Sequence, residues 1–132
     1  MKTILTLITA TLLTVAAQAA EQTTQYPEIT IPELKAAIAA GKVTLLDANG
    51  TESWQGGHIP GAIDYDGSKA KLLSLLPKDK HALVVAYCGG PLCMAYKKAA
   101  ADAEKLGYTN IKHLKAGIRG WKTAGEAVEK GN

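Results

Sequence analysis

The segment that most restricts what this chain can fold into is Ala82-Leu83-Val84-Val85-Ala86-Tyr87. A run with no charged or polar residue to turn toward water reads as a strand buried on both faces. Strands of that kind belong to parallel sheets covered by helices on each side. Cys88 follows at once, and the loop Gly89-Gly90-Pro91-Leu92 leads to Cys93 and a helix-like stretch from Met94 to Leu106. The cysteine is thus expected at the carboxyl end of a central strand, facing the crevice where α/β proteins bind ligands. Loop amides and a helix start beside a sulfur favour thiolate over thiol, which makes Cys88 a candidate nucleophile.

The rest of the chain alternates in the same manner. Thr30-Ile31-Pro32-Glu33 has the form of a capping box and predicts a helix from about Ile31 to Ala40, with Leu34, Ala37 and Ile38 inward and Gly41 as its stop. Lys42 to Asp47 reads as a buried strand, Thr51 to Gln55 as one or two helical turns, and Ala62 to Asp64 as a short strand entered through a glycine- and proline-shaped turn. Ser68 to Leu76 is expected to be helical, with Leu72, Leu73, Leu75 and Leu76 as core candidates. Asn110 to Leu114 reads as a last strand, and Ile118 to Val128 as one or two helices broken near Gly125. The expected architecture is α/β: three layers, with a central, mostly parallel sheet flanked by helices.

The first residues stand apart from this pattern. Met1-Lys2, an apolar run from Thr3 to Ala16 and the small-x-small end Ala17-Gln18-Ala19 form a signal-peptide pattern. Residues 1–19 are read as that peptide, 20–27 as a linker and 28–132 as a single domain in a periplasmic or secreted protein. A membrane anchor is the rival reading, but the run is diluted by threonines and short for a span of about 20 apolar residues, so no membrane association is expected after cleavage. The net charge is only +3, from 15 Lys and Arg against 12 Asp and Glu. With no basic run and no interleaved aromatics, nucleic-acid binding has no support. Two cysteines in an exported chain ordinarily suggest a structural disulfide. A Cys88–Cys93 bridge would close a very small loop, though, and loop-closure stabilisation falls as the loop shortens. Such a bridge reads as redox-active or incidental.

Three stretches, in this order and spacing, resemble the rhodanese-like (sulfurtransferase) domain family over roughly Glu28 to Gly125. They are Leu45-Leu46-Asp47 leading to Gly57-His58-Ile59-Pro60-Gly61-Ala62, then Val84-Val85-Ala86-Tyr87-Cys88, then Leu114-Lys115-Ala116-Gly117 leading to Gly120-Trp121. The resemblance implies that Cys88 is a nucleophile and that Gly89, Gly90, Pro91, Leu92 and Cys93 complete a six-residue cradle, with Met94 beside it. It also implies that sulfane sulfur moves from a small donor such as thiosulfate to a thiol or other acceptor through a persulfide on Cys88, with no cofactor and no metal. It does not identify a protein partner. The loop holds no side-chain cation, so an anionic donor would be drawn by backbone amides, by the helix start, or by Lys97, Lys115 or Arg119 from elsewhere.

Other readings stay open at this level. Cys93 can be a resolving thiol, a disulfide partner or only a small helix-start residue. The first two allow a dithiol/disulfide redox protein, and a non-catalytic binding module is a further alternative. His58, between Gly57 and Ile59, is better explained as ordering its turn than as a base, and His81 and His113 are weaker candidates. Asp47 is expected to support neighbouring loops by hydrogen bonding, Tyr87 to pack beside the site and Trp121 to pack a terminal helix on the sheet. Cys88, Cys93, Met94 and a histidine could hold copper(I), but their spacing is no recognisable ligand pattern. A phosphatase loop is set aside because Met94 stands where a phosphate-clamping arginine would be needed.

Overall fold

The computed structural model describes residues 26–132, so the signal-peptide reading and most of the linker lie outside the described residues. The predicted capping box is present. Thr30 Oγ1 accepts from the Glu33 amide, and the Glu33 carboxylate accepts from the Thr30 amide, opening helix α1 (Ile31–Ala39). Leu34 is its buried residue, with Ala37 and Ile38 partly covered. Then come β1 (Thr44–Asp47), α2 (Thr51–Gly56), β2 (Ile63–Asp64), α3 (Tyr65–Ser68), a 3₁₀ turn at Lys69–Lys71, and α4 (Leu72–Leu75). The remainder is β3 (Val84–Tyr87), α5 (Tyr96–Lys105), β4 (Ile111–His113) and α6 (Gly117–Thr123).

All four strands are parallel, in the order β2-β1-β3-β4. The apolar strand is interior as expected, its Val84 to Tyr87 wholly buried between β1 and β4. Alternation along it divides the core. Val84, Ala86 and Cys88 face a cluster built with Ala99, Ala100 and Ala103 of α5, together with Tyr65, Leu72 and Leu76. Val85 and Tyr87 face the opposite cluster with Leu34, Ile59, Leu114 and Trp121. The parallel sheet brings the carboxyl ends of β1 and β3 side by side, where the Ala48 amide donates to the Tyr87 carbonyl at 2.9 Å.

Three expectations need correction. The helix expected from Ser68 to Leu76 is broken into α3, the 3₁₀ turn and α4, because the Asp64 side chain caps the Gly67 amide and starts a helix earlier. Only Leu72 and Leu76 are buried, while Leu73 is 55% and Leu75 39% exposed. The segment after α5's loop is helical only from Tyr96, leaving Met94 outside it and exposed. Finally, the terminal helix stops at Thr123. The chain beyond runs as a strap: Trp121 Nε1 donates to the Ala127 carbonyl at 2.8 Å, and Glu129 exchanges backbone hydrogen bonds with His58 at 2.8 and 2.9 Å.

Candidate active site

β3 delivers Cys88 to the carboxyl edge of the sheet, buried at 1% exposure, and the loop turns back at once. The Cys93 amide donates to the Gly90 carbonyl at 3.1 Å, a tight turn that returns Cys93 to Cys88. The two sulfurs are joined in a disulfide whose α-carbons lie 6.2 Å apart, an ordinary span for such a bridge. Of the three roles open for Cys93, the disulfide partner is the one this state displays. Both sulfurs being bonded to each other, neither is a thiolate ligand for copper in this form.

The back of the loop is locked to α6. The Ile118 amide donates to the Cys88 carbonyl at 2.9 Å and the Arg119 amide to the Gly89 carbonyl at 3.1 Å. In a trans peptide the carbonyl and the following amide point opposite ways. Tying those two carbonyls to α6 therefore aims the Gly89 and Gly90 amides away from it. Among the described residues, the amides of Gly89, Gly90, Leu92 and Met94 have no hydrogen-bond partner within the protein. Four free donors in one short loop form a ready place for negative charge.

Gly117 makes the lock possible. Its φ is +62°, and a methyl group there would stand 2.6 Å from the Cys88 carbonyl oxygen, the Gly89 carbonyl carbon and the Gly90 nitrogen. Only a residue without Cβ lets the chain pass that close. Arg119, two residues on, lays its guanidinium against the loop, with Cζ 3.7 Å from where a Gly90 Cβ would be. It is exposed and makes no ion pair among the described residues. Of the other proposed cations, Lys115 is engaged with Glu28 at 3.2 Å, and Lys97 is an exposed residue of α5's first turn.

Asp47 ends β1. It is buried, accepting from Tyr87 Oη at 2.6 Å and from the Asn49 amide at 2.8 Å. Burial pushes its carboxyl above the ordinary range, against the hydrogen bonds from Tyr87 and Asn49 that hold it down. Tyr87 does more than pack: its hydroxyl also accepts the Ile59 amide at 3.1 Å, so one buried chain of hydrogen bonds joins the β2 turn to the end of β1. Burial, then the Asp47 charge, drive the Tyr87 phenol far above its usual value. His58 orders its turn. Its ring stacks on Trp54 with centroids 4.2 Å apart, and Nδ1 lies 2.8 Å from the Trp54 carbonyl oxygen. His81 lies outside the strands, with Nδ1 2.9 Å from Thr109 Oγ1. His113 is buried in β4, stacked on Tyr96 with centroids 3.4 Å apart, and burial lowers its pKa.

Sequence reasoning passed over Asn49, whose Oδ1 borders Gly89 at 3.8 Å from a would-be Cβ. Its place two residues past a strand-end aspartate was the available signal. The structural role of Gly117 was also missed, although a glycine between Ala116 and an apolar residue invites a left-handed turn.

A family model described as Rhodanese-like domain matches residues 30–124. The chain belongs to the rhodanese-like domain family. A rhodanese-like protein so placed finds a curated relative in the HTH-type transcriptional regulator Rv0324 of Mycobacterium tuberculosis, 38% identical over 104 residues, which make up 78% of this chain and 45% of that protein. The chain thus spans about half the length of that relative. Among solved structures, the human single domain sulfurtransferase TSTD1 superposes with a TM-score of 0.55 at 25% identity, covering 74% of this chain and 96% of that one. The thiosulfate sulfurtransferase of Pseudomonas aeruginosa, at 24% identity, shares the fold with a TM-score of 0.64 over 81% of this chain and 21% of that one. This rhodanese-like domain therefore shares its fold with proteins described as sulfurtransferases.

Proposed function

We propose that this rhodanese-like protein is a sulfurtransferase that carries sulfane sulfur as a persulfide on Cys88 after the Cys88–Cys93 bridge has been reduced. The observation that carries the reading is the loop itself: Cys88 opens it, and four of its amides are unpartnered while its carbonyls are tied behind to α6. The Cys88 thiolate attacks the outer sulfur of thiosulfate, the sulfur–sulfur bond of the donor breaks, and sulfite leaves with the bonding pair. Charge passes through the cradle at each stage, and fixed amide dipoles stabilise it without having to reorganise. Arg119 supplies the cation that the loop lacks and draws the anionic donor in. A thiol acceptor then takes the sulfur. Placement in the periplasm or outside the cell, as the N-terminal pattern implies, belongs to the same proposal and accounts for a bridge that an oxidising compartment preserves.

The test uses reduced Cys93→Ser and Cys88→Ser proteins incubated with thiosulfate. Intact mass should show a gain of about 32 Da, one sulfur atom, in Cys93→Ser and none in Cys88→Ser. Cys93→Ser protein that takes up no sulfur sinks the proposal. A second reading, a dithiol/disulfide redox protein, is favoured by the bridge itself. It requires wild type to cycle by about 2 Da with no sulfur uptake in either variant.

A further inference from the structure

We infer that Cys93 resolves the Cys88 persulfide, so that the protein releases its sulfur as hydrosulfide and is returned to the thiol state by an external dithiol. This rests on the persulfide reading above and assigns the acceptor step of the same site. Cys93 Sγ reaches bonding contact with Cys88 Sγ within the folded loop, held there by the Cys93 amide to Gly90 carbonyl turn. In a persulfide, Cys88 Sγ is the inner sulfur. The atom that Cys93 meets in the bridge is therefore the atom it must attack in the persulfide, with no rearrangement of the sheet. Cys93 is half-buried and packs against the cluster that contains Cys88, which holds its thiol close to that sulfur.

The step balances as thiol–disulfide exchange does. Cys93 Sγ forms a bond to Cys88 Sγ, the bond from Cys88 Sγ to the outer sulfur breaks, and the outer sulfur leaves with the electron pair. The Cys93 thiol proton accompanies it, giving hydrosulfide from a persulfide anion. The sulfane sulfur gains two electrons, and the two cysteine sulfurs are oxidised to the disulfide. A dithiol then reduces the bridge by exchange and becomes a disulfide itself. The sum is thiosulfate plus dithiol giving sulfite, hydrosulfide, one proton and the oxidised dithiol. The bridged form is thus one station of the cycle, entered once per turnover.

The experiment is a single turnover. Wild-type, Cys93→Ser and Cys93→Ala proteins are reduced with dithiothreitol, freed of it under anaerobic conditions and mixed with thiosulfate, and sulfite, sulfide and intact mass are followed together. Wild type should release about one equivalent each of sulfite and sulfide and finish about 2 Da below the reduced mass. Both Cys93 variants should release sulfite, hold the added mass of about 32 Da, and release sulfide at least tenfold more slowly. With dithiothreitol restored, wild type should turn over repeatedly, and both variants more slowly, through direct attack of dithiothreitol on the persulfide. Wild type that keeps the added sulfur as the variants do overturns the inference while leaving the sulfurtransferase reading intact, as does sulfide release that is equal in all three proteins. Variants that take up no sulfur instead overturn the persulfide reading itself.

Discussion

Replacing Gly117 with alanine tests whether the lock between α6 and the cysteine loop is real. Two effects act together. An L-residue in the left-handed region is strained by about 1–2 kcal/mol, and the new methyl would lie 2.6 Å from three main-chain atoms of the loop. Main chain cannot rotate aside as a long side chain does, so α6 or the loop must retreat, at an overpacking penalty of about 1–3 kcal/mol. The smaller entropy of the unfolded alanine chain returns about 0.4–1 kcal/mol. The net destabilisation should be about 3 kcal/mol, or a fall in Tm of at least about 12 °C for a domain of this size. Gly41→Ala is the matched control. Gly41 has φ +66° against +62° for Gly117, but nothing lies within 4 Å of its would-be Cβ. It should carry only the strain, about 1 kcal/mol after the entropy gain. Urea unfolding of the two variants, each reduced and oxidised, measures the difference. Equal losses in Gly117→Ala and Gly41→Ala would falsify the close-approach argument, because backbone strain would then account for both.

Two further outcomes follow from the site. Arg119→Ala should raise KM for thiosulfate by about tenfold, the size of one lost charge-assisted hydrogen bond, with Arg119→Lys intermediate; sulfite release in the presence of dithiothreitol reads this, and an unchanged KM removes Arg119 from donor binding. Burial lowers the His113 pKa, and Lys115 and Lys97 act in the same direction against Glu28. Its folded pKa lies below the unfolded value of about 6.5, so its contribution is complete above that pH and lost as pH falls through the folded pKa. Urea midpoints at pH 7.5 and 5 should diverge less for His113→Phe, which keeps a ring against Tyr96, than for wild type; equal acid losses contradict that assignment.

The sequence made legible what short-range rules govern. The capping box of Thr30 and Glu33, the doubly buried β3 and the strand-end position of Cys88 all depend on neighbours in the chain, and each stands where the pattern put it. The leucine run misled because the cap that sets where the helix starts lies outside the run and does not appear in its periodicity. The Asp64 cap broke it early, leaving Leu73 and Leu75 in water. The strap after Thr123 was invisible for a different reason. It is held by Trp121, His58 and Gln55, partners that periodicity within the segment does not contain. The same limit applied at the site. A backbone turn at Gly90 returns Cys93 to Cys88, and Gly117, by letting α6 come close, sets Arg119 against the loop; neither contact can be read from neighbours in the chain.

The sulfur bridge apart, the hydrogen bonds that hold the loop are made by main-chain atoms: the carbonyls of Cys88, Gly89 and Gly90 accept from Ile118, Arg119 and Cys93 amides. Its middle side chains stand clear, with Leu92 94% and Met94 56% exposed. A loop fastened through its backbone leaves those letters free to drift. Selection, or a designer, can recompose the rim at Pro91, Leu92 and Met94 while the backbone that holds Cys88 stays fixed. The fold separates the part of the loop that fixes Cys88 from the part that faces outward.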